Sequence, residues 1–153
     1  MRKVILIALL AVISFGAYAQ DYQKAVGLRL GNPLGLSYKT FMSSKNALEV
    51  IADLDIFEKG YTKLSASGFY LWQWPISQVE RLSWYAGPGV SAGIFLYKGG
   101  ANFNASINGM VGLEYKLANL PLVIAADFAP RFYLLHSAGF YPQSGALTVR
   151  YTF

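Results

Sequence analysis

His136 and Ser137 are the one place in this chain where a base and a nucleophile stand side by side. Serine-type hydrolysis needs the hydroxyl within reach of the imidazole, and a carboxylate that orients the ring. Adjacent positions of an extended chain point to opposite faces. The pair falls in a loop, "LHSAGFYPQ", and no Asp or Glu follows Asp127. The two are weak catalytic candidates, and the expectation is a protein that is not an enzyme. A single histidine and zero cysteines exclude disulfides, thiolate metal sites and multi-histidine sites. No metal or cofactor is expected.

A second set of residues carries charge. Arg29, Lys39, Glu49, Asp53, Glu114, Lys116, Asp127, Arg131 and Arg150 all fall on the less apolar phase of alternating segments, five basic and four acidic. If that phase faces a confined interior, the charges must pair or be neutralised. They could form a gated constriction, or a structural lattice that plugs the space. The lattice is preferred, because an eight-stranded barrel is just wide enough for its own side chains. Hairpin arithmetic places Asp127 and Arg131 beside Arg150, and Lys39 across from the Glu49 to Asp53 stretch.

The elements that would hold these residues follow from period 2. Downstream of residue 20, apolar and small or polar residues alternate in eight segments, separated by turn-rich stretches. Val26, Leu28 and Leu30 oppose Arg29; Leu34, Leu36 and Tyr38 oppose Ser37 and Lys39; Leu48, Val50 and Leu54 oppose Glu49 and Asp53. Further strands run over about 64–74, 82–96, 105–117 and 121–134, and the last is "GALTVRYTF". Gly87-Pro88-Gly89 marks a bend or bulge in the fifth, since proline removes a ladder bond. No helical period is present. The fold class is all-β, an eight-stranded antiparallel up-and-down barrel.

Residues 1–19 are read as a secretory signal peptide: Arg2 and Lys3, a short apolar run and "AYA" before Gln20. The domain then spans 20–153. Removing Arg2 and Lys3 leaves 11 basic residues against 8 acidic ones, a net charge of +3, too weak and scattered for nucleic acid.

The chain is 54% hydrophobic and 14% charged, against about 25% charged for an ordinary soluble domain. Alternation alone fits two opposite objects, a soluble exported lipocalin-like binding barrel with its apolar face inside and a transmembrane barrel with that face on lipid. A small-residue minor face with nearly balanced charges suits a narrow interior, and the almost purely apolar major face suits lipid. Trp72, Trp74, Trp84, Tyr115 and Tyr151, with Tyr22, gather at one end as an interfacial aromatic girdle. Phe57, Tyr61, Tyr97, Phe103, Phe140 and Tyr141 lie at the other, read as a second girdle before a binding surface. Loops at about 55–62, 97–104 and 135–143 fall outside the cell and are the longer set, apart from the short Asn32-Pro33 turn.

The export signal, eight amphipathic strands and terminal aromatic residue resemble the small outer-membrane β-barrels of Gram-negative bacteria, such as OmpX and the transmembrane domain of OmpA. The resemblance covers the whole mature chain and is one of pattern, not of a catalytic motif. It implies a monomer in the outer membrane, surrounded by its lipid and inserted by the barrel assembly machinery, for which Phe153 in "VRYTF" would be the signal. It implies nothing specific about activity, since the fold hosts enzymes, adhesins and anchors. A structural or surface-interaction role without a large pore is expected. The alternative is an enzyme of the lipid A deacylase kind, but there the histidine and serine are two apart with an acid following, unlike His136-Ser137.

Overall fold

The computed structural model describes residues 22–56, 60–135, 138–142 and 144–153. The proposed signal peptide, Phe57, His136 and Ser137 lie outside the described residues. Ten strands form in chain order: β1 (Lys24–Gly31), β2 (Leu34–Phe41), β3 (Asn46–Asp55), β4 (Tyr61–Pro75), β5 (Leu82–Tyr97), β6 (Gly100–Lys116), β7 (Leu122–Phe128), β8 (Arg131–Tyr133), β9 (Gly139–Tyr141) and β10 (Gly145–Thr152). The sheet runs β5-β4-β3-β2-β1-β10-β7-β6-β8-β9, and β5 also pairs with β6, so it closes on itself. β7 and β8 lie end to end on β6 and make one stave. β9 pairs with β8 alone and stands in line beyond β10, which pairs with β7. The result is a closed, antiparallel, eight-stave barrel in up-and-down order, with no helix among the described residues.

The alternation read from the sequence sets the two faces. Leu28, Leu36 and Leu147, one on each of three neighbouring strands, are 56%, 58% and 57% exposed on the outer wall. Arg29, Ser37 and Thr148, one position along, are buried inside. The barrel end where β1 begins and β10 finishes is called the near end here, and the opposite one the far end.

Closure depends on the β1–β10 seam, paired from Ala25 with Thr152 to Gly31 with Ala146. At Gly27 the strands come so close that a β-carbon would run into the backbone of Val149 and Arg150. Gly27→Ala is therefore expected to cost about 1–3 kcal/mol by forcing the seam apart. Urea titration of the refolded protein measures it, and an unchanged midpoint would show that the seam has slack.

Three local expectations change. The far-end loops are not the longer set: β5 and β6 meet in a two-residue turn at Lys98 and Gly99, with Gly99 at φ 114°, and residues 100–104 belong to β6. "GGANFN" has the composition of a loop, yet Asn104 turns inward and Phe103 outward, which continues the strand. The seventh stave is broken at Ala129-Pro130, where proline offers no donor. β5 is continuous through Gly87-Pro88-Gly89, but its ladder with β4 is interrupted between Phe69↔Gly89 and Trp72↔Ala86. The Asn32-Pro33 bond linking β1 to β2 is cis.

Stave length varies around the wall. β1 and β2 have 8 residues each, whereas β4, β5 and β6 have 15, 16 and 17; β10 has 8, but its stave continues as β9.

Candidate functional site: a charge lattice inside the barrel

Eight of the nine predicted charges are buried: Arg29, Lys39, Glu49, Asp53, Glu114, Asp127, Arg131 and Arg150. Each sits on the inward phase of its strand, so the wall supplies a fixed anchor for every ion. Lys116 is different. It stands half-buried at the near mouth, its ammonium 5.8 Å from the centre of the Tyr22 ring.

The lattice has two centres. In the first, Arg150 on β10 bridges Glu49 on β3 and Glu114 on β6, the latter at 3.2 Å, and its Nε donates to Ser37 Oγ at 3.0 Å. Ser37 in turn donates to Glu49 at 2.6 Å. Lys39 donates to Glu114 at 2.8 Å and to Gln73 at 2.6 Å, and Gln73 donates to the other Glu114 oxygen at 3.0 Å. The Tyr22 hydroxyl also donates to Glu114. Burial and the adjoining carboxylate push that hydroxyl well above its ordinary pKa, so it stays a donor across the usual pH range.

In the second centre, Arg29 donates to Asp127 at 2.6 Å and faces Asp53 at 4.0 Å, while Arg131 donates to Asp53 at 2.7 Å. This corrects the pairing drawn from hairpin arithmetic. Asp127 lies opposite Ala146, and Arg150 lies opposite Val123, so Arg150 reaches across the lumen to β3 and β6, not along the hairpin to Asp127. Lys39 does pair with Glu49 in backbone register, but its ammonium goes to Glu114 and Gln73.

The lumen is not lined only by small and charged residues. Ile51, Phe69, Leu71, Tyr85 and Met110 pack there as an apolar cluster with Ala47, Ala125 and Ala129. Tyr85 lies under the Lys39 ammonium, 4.5 Å from the ring centre, and across Gly112, where a β-carbon would strike its ring. Sequence reading missed Phe69 and Leu71 because "GFYLWQW" is apolar on both phases, so the inward bulky residues are hidden among outward ones. Toward the far end Lys63 donates to Tyr133 and lies over the Phe95 and Tyr133 rings at 5.2 and 4.6 Å. Lys63 lies near the start of β4 on the same phase as Ser65 and Ser67, so parity within the strand already marks it as inward. Ser67, Ser91, Ser106 and Asn108 complete a neutral hydrogen-bonded layer, with Ser91 to Ser67 at 2.7 Å.

Outside, Trp74 and Trp84 face each other across β4 and β5 and stack at 4.4 Å; Tyr70 meets Trp72 edge-on at 5.1 Å. Tyr115 on β6 and Tyr151 on β10 lie near the same end of the barrel. Tyr22 does not join them, since it turns into the mouth. Phe153 is half-exposed beside Tyr151 and exchanges backbone hydrogen bonds with Lys24. At the far end Tyr97, Phe103, Phe140 and Tyr141 are exposed, and Tyr61 is half-buried against Phe95.

Neither protein-family models nor curated proteins match this chain. What the chain can do is therefore argued from its own geometry. The described residues hold no cluster of His, Cys, Asp and Glu suited to a metal. Each of the four lattice carboxylates is held by at least one cation, Glu49 also by Ser37 and Glu114 also by Gln73 and Tyr22. A cleft of about 840 Å³ opens at the near end, floored by Glu114, Gln73 and Tyr22 and rimmed by Met42, Ile76 and Val79.

Proposed function

We propose that this protein is a barrel of the bacterial outer membrane with a structural or surface-interaction role, its lumen plugged so that no large pore crosses it. The observation that carries this reading is inverted polarity. Large apolar side chains such as Leu28, Leu36, Val90, Ile107 and Leu147 stand about half exposed or more, while nine charged residues among those described are buried inside, Lys63 with the eight of the lattice. In water such a surface would be a strong aggregation liability. In lipid it is the expected one, and a closed barrel satisfies every backbone group without an open edge in the hydrocarbon. The aromatic side chains concentrated at the near end of β4, β5 and β6 suit a membrane interface. The lumen lattice and the apolar cluster behind it support the absence of a wide channel.

A lipocalin-like carrier would need an apolar interior around its ligand; the interior here is crossed by buried ion pairs packed against an apolar cluster. The lipid-modifying reading rested on His136 and Ser137, which lie outside the described residues.

The folded protein is expected to migrate faster than its boiled form on an SDS gel and to stay with outer-membrane fractions after urea and carbonate washing. Recovery in the soluble fraction, with no heat-dependent shift, would overturn the membrane reading.

A further inference from the structure

The outward apolar belt has unequal height, and the inequality is ordered around the wall. β1 and β2 are neighbours in the sheet with 8 residues each, and β5 and β6, with 16 and 17, stand across the lumen from them, with the 15-residue β4 beside β5. In the order of eight staves β1 is diametrically opposite β5. The outward apolar residues of β1 are Val26, Leu28 and Leu30, with exposed Lys24 at one end and the Asn32-Pro33 turn at the other. On β5 the outward phase runs from Leu82 and Trp84 through Val90 to Ile94 and Leu96 without one polar residue.

At a rise of about 3.4 Å per residue and a strand tilt of about 40°, eight residues stand roughly 20 Å tall and sixteen roughly 40 Å. The apolar band that a bilayer offers a barrel is about 25 Å. One wall is too short for it and the opposite wall too tall. Tilting the barrel rotates both rims of the belt together and cannot make them parallel. The tryptophans fix which rim holds position: Trp72, Trp74 and Trp84 all lie on β4 and β5 at the near end, anchoring the tall wall at that interface. The excess and the deficit then both fall at the far end.

We propose that the bilayer itself is the partner this belt is shaped for: the barrel imposes a thickness gradient, with phospholipid drawn thin beside β1 and β2 and thickened along β4 to β6. The inference rests on the membrane reading above. The β1–β2 hairpin is suited to the thin side, since Pro33 has no N–H to leave unpaired where headgroups dip toward acyl chains. Lipid meets such a mismatch by thinning, at a modest cost per ångström.

The chain contains no cysteine, so single labels can be placed without other changes. Asn32→Cys and Lys98→Cys, each carrying an environment-sensitive fluorophore, report the far rim on the short and tall sides in dioleoyl-phosphatidylcholine vesicles. The Asn32 probe is expected to respond to headgroup-level quenchers and the Lys98 probe to aqueous ones, with neither quenched by mid-chain bromine. Folding yield should fall several-fold from dilauroyl to dioleoyl vesicles. A variant with two residues added to each strand of the β1–β2 hairpin, alternation preserved, should fall much less. Quenching of the Asn32 probe mainly by mid-chain bromine would mean undeformed lipid and would overturn the gradient, as would equal thickness dependence in the lengthened variant. The probe decides alone if that variant does not fold. Tryptophan emission untouched by any brominated chain would instead overturn the membrane reading itself.

Discussion

Arg150→Met is expected to destabilise the barrel by about 3–5 kcal/mol, the range for stripping one partner from a buried ion pair. Arg150 is fully buried and holds two carboxylates, Glu49 and Glu114. The two are not equally exposed to its loss. Glu114 keeps Lys39, Gln73 and Tyr22, whereas Glu49 keeps, among the described residues, only the Ser37 hydroxyl as a hydrogen-bond donor. The damage should therefore be concentrated at Glu49. Adding Glu49→Gln to Arg150→Met removes the stranded charge and should recover a large part of the loss. Urea unfolding from detergent micelles, followed by the heat-dependent gel shift, measures both variants. A loss below about 1 kcal/mol for Arg150→Met would show that the lattice is not a buried one in the energetic sense.

The second large effect separates a pair from its halves. Asp127→Ala strands Arg29, whose other carboxylate neighbour, Asp53, is 4.0 Å away and already bonded to Arg131 at 2.7 Å. A cost of about 3–5 kcal/mol is again expected. Replacing both partners, Arg29→Met with Asp127→Leu, removes the ions together with their desolvation penalty. Such exchanges are often neutral or stabilising when the volume is filled. The double variant should thus be clearly more stable than Asp127→Ala alone. A double variant as weak as the single one would mean that packing around Arg29, and not its charge, sets the cost.

These predictions depend on partner assignments that the sequence could not supply. Alternation was enough to put Arg29, Glu49 and Arg150 on one face, because that face depends only on the parity of a residue within its strand. It was also enough for the antiparallel order of neighbours, since short turns join consecutive strands. Partners across the lumen are another matter. Arg150 meets Glu114 on β6 and Glu49 on β3, strands that do not touch β10, and such contacts depend on the stagger of the whole closed sheet. An error of a few residues in one hairpin register was sufficient to give Asp127 the wrong cation. Phe69 and Tyr85 were invisible for a different reason. Both lie in aromatic-rich runs where bulk on both phases erases the contrast that parity reading needs. The turn at Lys98-Gly99 was misplaced because glycine and asparagine are turn formers by composition, yet here they continue a strand that rises beyond the belt.

The seam between β1 and β10 bears on the order in which the barrel assembles. Every other neighbouring pair of staves joins segments close in sequence, whereas the seam joins Ala25 to Thr152. Its closure carries the largest loop entropy of any pairing and is expected to come last. Arg29 stands on β1 and Arg150 on β10, so both seam strands bring guanidinium groups whose carboxylates stand on other staves. Until the edges meet, Glu49 and Asp127 lack their cations, and a nearly finished sheet is still an open one with bare charge inside. Zipping the edges and neutralising the interior become one event, which makes closure cooperative and gives partly formed barrels little to hold them in place.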